Sequence, residues 1–352
     1  MRAQCFCEEG RGQMSDDRPR RVTITEVAQR ARVSTATVSH VLNGKGRVHP
    51  VLSERVQAVA RELDYQPHIL AQSLRTGRTR TLGLCVSSFI SPTVAAIVEG
   101  ASQAARAAGY TLLISTTERD PELEQADLAA MARQRVAAVM AISASDDPAP
   151  YRQLQLAGVP IVFQGHRPPG VAGDLILSDQ HSATRAATAH LLGGGRRRIA
   201  LLLTSRSMEV YRRRLAGYEE AHAAVGVSPL PDFVRAELHT ETQARAAVRE
   251  LLSSSEPPDA LVAGGDSLVQ GALEELRHQG IAIPSRLAFV GAGDLRWACL
   301  LDPPLSMIEV DGHETGRQLI RLALERLDPS LSLSPSRDVV LPSRFVARAS
   351  SP

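Results

Sequence analysis

The chain has 352 residues, 43% of them hydrophobic and 22% charged, enough for two or three globular units with a sizeable buried core. Its apolar runs, such as Ala137 to Ile142, fall far short of the roughly 18 residues a membrane-spanning helix needs. The net charge of +2 hides a split: residues 1–80 carry 14 basic against 8 acidic side chains and residues 81–352 carry 26 against 30, so one end is built to meet a polyanion.

Aromatic residues make up only 3% of the chain, which argues against stacking platforms for single strands and leaves a duplex as the polyanion. Residues 1–21 are polar and aperiodic and read as a disordered extension. Met14 offers a second translation start within it. No apolar segment of a secretory signal is visible, so a cytoplasmic, nucleoid-associated location is expected. The four cysteines, Cys5, Cys7, Cys85 and Cys299, form no C-x-x-C pair and have no histidine at ligand spacing. No disulfide framework, structural metal or cofactor is expected.

A helical pattern starts at Thr23. Thr25 reads as the N-cap of a first helix, with Ile24, Val27, Ala28 and Ala31 on one face. After a break at Arg32-Val33-Ser34, a second short helix runs from Thr35 to Leu42, closed by Asn43-Gly44-Lys45-Gly46. A third covers Val51 to Leu63. Two short helices, a tight turn and a second helix opening with small polar residues fit a helix-turn-helix, whose second helix enters the major groove. His68 to Gly77 is a further short helical stretch with no core of its own. It sets Leu74 beside Arg75, Arg78 and Arg80, a combination that can wedge a base step in the minor groove while arginines hold phosphates; the alternative is a basic linker.

Beyond Thr79 apolar runs alternate with helical stretches. The runs are Leu82–Val86, Thr111–Ser115, Ala138–Ile142, Ile161–Phe163, Ile199–Leu203, Ala260–Ala263 and Leu287–Val290. Helical patterns cover 93–108, 122–134, 181–192, 212–225, 241–253 and 267–279. Such alternation predicts parallel sheets covered by helices on both faces, and the length favours two similar lobes. Residues 329–338 read as loop.

The run Ile24 to Asn43, ITEVAQRARVSTATVSHVLN, resembles the head-piece signature of the lactose-repressor (LacI/GalR) family of bacterial transcription regulators. Leu63-Asp64-Tyr65-Gln66-Pro67 and Ala71-Gln72-Ser73-Leu74-Arg75-Thr76-Gly77 resemble its third helix and hinge helix. The likeness continues through Arg214-Leu215-Ala216-Gly217-Tyr218 and Pro303-Pro304-Leu305. It implies a small all-α helix-turn-helix head-piece (22–66), a hinge helix and linker (67–80), and a two-lobed α/β body like the periplasmic binding proteins (81–349), with crossovers near 179 and 309. It implies a homodimer on a near-palindromic operator, controlled by a small-molecule effector between the lobes. The expected regulator is a repressor, with an activating or effector-independent regulator as the alternative.

Residue by residue, the resemblance places Thr35, Ala36 and His40 toward base edges. Thr23, Ser34, Ser39, Asn43 and Arg47 fall among DNA contacts, and Leu74, with Ala71 and Arg75, at the minor-groove wedge. His40 stands where the family usually has arginine, so the half-site is expected to differ there. Arg32 replaces a turn glycine, at a cost of about 1 kcal/mol if its φ is positive. In the body, Arg214 and Asp266 occupy ligand-contacting places, but Gly165, Gly265 and Gly293 stand where the family shows Asp, Asn and Asp. Phe89, Asp294 and Trp297 are further effector candidates. For Phe89 and Trp297 the alternative is a core position, and for Asp266 a cap on its own helix. The missing carboxylates predict that a simple monosaccharide is not bound in the usual way.

An enzymatic alternative is weak. Gly265-Asp266-Ser267-Leu268 spells an esterase nucleophile block, yet Asp311-Gly312-His313 has the wrong spacing for its partners. Gly193-Gly194-Gly195 and Gly291-Ala292-Gly293 do not complete a dinucleotide fingerprint.

Overall fold

The hydroxyl and backbone N–H of Thr23 engage Glu26 reciprocally, a capping box that satisfies two otherwise unpaired donors at the start of α1 (Ile24–Ala31). The N-cap is therefore Thr23 rather than Thr25, because only position 23 has its glutamate three residues on. Arg32 ends α1 with φ 52° and ψ 49°, the left-handed turn conformation in which a side chain is strained. Ser34 then caps α2 (Thr35–Leu42), its Oγ accepting from the Thr37 N–H at 3.1 Å. Pro50, whose missing N–H costs nothing at a helix start, opens α3 (Pro50–Glu62). Val27, Ala28, Ala31, Val38, Val41, Val56 and Ala60 close a small core between the three helices.

The computed structural model describes residues 22–42, 48–65, 79–143, 145–331 and 334–352. The expectations placed on residues 1–21, Asn43, Arg47, Ala71, Leu74 and Arg75 lie outside the described residues.

The body is a separate compact unit. Its first lobe runs through β1 (Thr81–Val86), α4 (Pro92–Ala107), β2 (Thr111–Thr116), α5 (Pro121–Arg133), β3 (Val139–Ala141), α6 (Ala149–Leu156), β4 (Ile161–Gln164) and β5 (Asp174–Ser178). The second lobe follows with α7 (Gln180–Gly193), β6 (Ile199–Leu202), α8 (Glu209–Ala224), β7 (Val234–Arg235) and α9 (Glu241–Leu252). It continues with β8 (Ala260–Ala263), α10 (Asp266–His278), β9 (Ala288–Gly293) and β10 (Ser306–Glu309). The chain then returns to the first lobe with α11 (Gly312–Leu327) and β11 (Asp338–Leu341), and ends in the second with β12 (Arg344–Val346). It thus passes between lobes three times, near 179, near 310 and at Pro342-Ser343, the last not foreseen from the sequence.

Each lobe is built on a six-stranded sheet, in the orders β11-β5-β4-β3-β1-β2 and β12-β10-β9-β8-β6-β7. All pairings are parallel except β10 with β12, where the chain end folds back along the sheet edge. β1 is interior, with Leu84 opposite Ile114 of β2 and Met140 of β3, which explains its unbroken apolar run. Each sheet carries a core on both faces.

Glu275 on α10 is fully buried and receives Arg249 Nε at 2.9 Å, Arg249 Nη2 at 3.0 Å and Gln279 Nε2 at 2.9 Å. Those donors, Arg249 foremost, hold its carboxyl at about 2, against an ordinary value of 4.5. A depressed carboxyl contributes stability that is complete above the unfolded value and is lost as the pH falls through the folded one. Glu275→Gln should therefore flatten the loss of stability between pH 4.5 and 2, and lower Tm at pH 7 by about 2–4 °C, the shift expected for roughly 1 kcal/mol in a domain of this size. Thermal melts across pH check both.

Candidate DNA interface and interlobe cleft

The head unit presents one polar face. Thr23, Ser34, Thr35, Ala36 and His40 are exposed, Ser39 is half-buried, and Val38 and Val41 of the same helix point into the core. Small side chains at the start of α2 let its backbone approach a surface closely, while His40 stands one turn along. Thr23 and Ser34 also have local work, closing the ends of α1 and α2.

In the body, Arg214, Asp266 and Asp294 lie at the junction of the lobes but serve different ends. Arg214 on α8 is buried, donating Nε to Gln180 Oε1 at 2.9 Å and Nη1 to the Gly264 carbonyl at 2.6 Å. Burial draws its pKa down to about 10, with the charge of Asp266 opposing the shift. Gln180 also donates to Ser343 Oγ at 3.3 Å, so Arg214 braces two of the three interlobe passages. Asp266 does not cap its own helix, whose N-cap is Gly265 without a side-chain bond. Instead its carboxylate crosses to the first lobe, accepting from Ser91 Oγ at 2.5 Å and from Thr93 N–H and Oγ–H at 3.1 Å each. Asp294 lies next to this contact, its N–H donating to Thr93 Oγ1 at 2.9 Å, and burial raises its carboxyl pKa. Phe89 and Trp297 are 49% and 40% exposed, so neither is a core residue.

The three glycines also part company. A side chain would meet open space at Gly165 and Gly265, whereas a Cβ at Gly293 would lie 1.9 Å from Asp266 Oδ1. A cavity of about 430 Å³ is lined by residues of both lobes. From the first lobe Asp146, His166, Arg167 and Asp338 line it, and from the second Glu209, Arg212 and Arg213. His166 Nε2 lies 2.7 Å from Asp146 Oδ1, Arg167 bonds Asp338 at 2.9 Å, and Glu209 holds both Arg212 and Arg213. The sequence reading singled out none of these; the run Arg212-Arg213-Arg214 was the signal available. None of Phe89, Arg214, Asp266, Asp294 and Trp297 is among the described residues lining the cavity.

The esterase constellation is not assembled. Asp311 accepts from the Glu314 N–H as the cap of α11, and His313 bonds Gln103 at 3.0 Å. Among the described residues there is no group of three metal-ligating side chains and no helix long and apolar enough to cross a membrane.

A capped helix-turn-helix with an exposed polar reading face, together with a two-lobed body enclosing a polar cavity, defines a DNA-binding regulator with a ligand-sensing body. Residues 23–68 match the family model of bacterial regulatory proteins of the lacI family, and residues 188–351 match that of the periplasmic binding protein-like domain. The transcriptional regulator CelR of Thermobifida fusca is 35% identical over 320 residues, covering 88% of this chain and 93% of that protein. A solved complex of CelR with cellobiose shares 32% identity, covering 94% of this chain and all of the other, with a TM-score of 0.70. The lac repressor dimer bound to operator and the anti-inducer ONPF, 24% identical, has the same fold, with a TM-score of 0.79 over 94% of this chain and 99% of that one. The chain belongs to the lacI family of bacterial regulatory proteins and is a DNA-binding transcriptional regulator.

Proposed function

We propose that the protein represses transcription by holding a near-palindromic operator as a homodimer, with Thr35, Ala36 and His40 against base edges. Thr23, Ser34, Ser39 and Asn43 contact phosphates, and Arg47 is a further DNA contact. Leu74, supported by Ala71 and Arg75, enters the minor groove. The observation that carries this reading is the face of α2, whose exposed positions are small or polar while its valines are buried. The body domain extends from about residue 81 to 349, and a small molecule between its lobes changes the angle at which the paired head-pieces are presented.

The ligand is polar. The cavity wall matches each cation with an acid, Arg167 with Asp338 and Arg212 and Arg213 with Glu209, and it has no phenylalanine, tyrosine or tryptophan among its described residues. The cellobiose complex of the CelR relative supports a polar ligand larger than a single sugar. Titration calorimetry with hexoses and pentoses is expected to give no micromolar binding, and such binding would overturn this choice of ligand.

Selection of bound duplexes from a random pool tests the operator reading. A half-site departing from the family consensus opposite His40 is expected, because one imidazole cannot fork onto guanine as arginine does. Leu74→Ala should weaken binding to the selected site by about 10- to 100-fold while leaving random duplex nearly unaffected. Equal losses on both would remove Leu74 from the wedge role.

A second reading, regulation without an effector, is favoured by one observation: the Asp266 carboxylate itself supplies a contact between the lobes.

A further inference from the structure

In a two-lobed binding protein, the ligand is ordinarily what ties the lobes together. Here a side chain of the protein joins them as well. Asp266 opens α10 of the second lobe, and its carboxylate accepts three hydrogen bonds from the start of α4 in the first: Ser91 Oγ at 2.5 Å, Thr93 N–H at 3.1 Å and Thr93 Oγ–H at 3.1 Å. Thr93 is the second residue of α4, so its N–H has no partner within its own helix. The next N–H, of Val94, is met by Ser91 Oγ at 3.3 Å. The carboxylate also sits at the positive end of a 16-residue helix, which favours it there.

The surrounding residues leave room for this contact. Gly293 has φ 149°, and any Cβ there would fall 1.9 Å from Asp266 Oδ1, so a side chain at 293 displaces the carboxylate. Thr93 Oγ1, while donating to Asp266, accepts the Asp294 N–H at 2.9 Å, adding a second strand of contact from the loop after β9. Elsewhere along the cleft, Arg119 of the first lobe donates to the His239 carbonyl of the second at 2.9 Å.

We infer that Asp266 is an interlobe latch, clasping Ser91 and Thr93, which holds the two lobes together. A ligand that opens the cleft must break this clasp, and one that occupies its centre must offer hydroxyl or N–H donors to Asp266 in place of Ser91 and Thr93. The inference deepens the regulatory reading and rests on it only for the consequence of opening; the latch itself is measurable without DNA.

The test uses the full chain and three variants: Asp266→Ala, Thr93→Val, which keeps the shape and removes a donor, and Gly293→Ala, which places a methyl where the carboxylate lies. Hydrogen exchange of the peptide containing Thr93 and the radius of gyration from small-angle scattering are measured in the absence of ligand. In Asp266→Ala and Gly293→Ala the Thr93 amide should exchange about tenfold faster or more, as expected for loss of a charge-assisted bond, and the radius of gyration should rise. Thr93→Val should increase the radius of gyration by a smaller amount. If Asp266→Ala fails to fold, Thr93→Val alone decides. Folded variants with wild-type exchange and scattering would overturn the latch. Binding of wild-type protein to genomic duplex is measured in parallel. Its failure would sink the regulator reading while leaving the scattering result to judge the latch.

Discussion

Arg326→Met lowers the stability of the protein by about 3–5 kcal/mol, the usual consequence of leaving one member of a buried ion pair alone. Asp174, at the start of β5, is fully buried, and Arg326 in the last turn of α11 approaches it with Nε at 2.9 Å and Nη2 at 2.5 Å. The same guanidinium donates to the carbonyls of Ser334 and Pro335, and the Arg337 N–H reaches Asp174 Oδ1 at 2.8 Å. One carboxylate therefore gathers β5, the end of α11 and the approach to β11. Burial alone would raise the Asp174 pKa, but the hydrogen bonds from Arg326 and the Arg337 backbone outweigh it and leave the carboxyl below its ordinary value. Its contribution is present above the unfolded carboxyl pKa and fades as the pH drops through the folded one. Denaturant unfolding at pH 7 measures the effect. Asp174→Asn combined with Arg326→Met should recover part of the loss, since no unpaired charge remains inside. A single variant within 1 kcal/mol of wild type, a threshold set by the usual worth of exposed pairs, would show that water reaches the pair.

Gly316→Val should cost about 3 kcal/mol or more, beyond the range of ordinary surface changes. Helices α4 and α11 meet backbone to backbone. A Cβ at Gly316 would stand 2.1 Å from the Ile97 carbonyl oxygen, and one at Gly100 2.0 Å from that of His313. Neither obstacle is a side chain that can turn away, so the helices must separate and expose Ile97, Ala101, Leu319 and Ile320, which close the core over the first sheet. Gly193 at the end of α7 supplies the control. A Cβ there would meet nothing within 4 Å, and Gly193→Ala should be neutral or stabilise by about 0.5–1 kcal/mol. Equal effects at the two glycines in thermal melts would rule out close packing as the reason for Gly316.

The same close approach explains a gap in what could be read from the sequence. α11 is amphipathic, yet Gly312 and Gly316 in its first turns resemble loop residues, and only its partner helix supplies a reason for them. β5, β7, β10, β11 and β12 escaped notice because each offers only a short run of apolar residues, and β7, β11 and β12 are sheet edges. The seven strands that were legible are nearly all interior and buried, such as β1 and β8.

Local chemistry was written plainly along the chain: the helices of the head, the polar face of α2, the alternation that builds parallel sheets, and the repressor-like signature itself. These depend on neighbours within a turn or two, where backbone geometry and side-chain spacing leave few choices. The state of the cleft was another matter. Asp266 and Ser91 are separated by 175 positions, and a carboxylate beginning a helix looks the same whether it faces solvent, a ligand or another lobe. Three passages of the chain between the lobes bring those segments together, and the absence of a side chain at Gly293 lets the carboxylate through. Tertiary structure decided the role of Asp266, because hydrogen bonds are satisfied by proximity in space and not by order along the backbone.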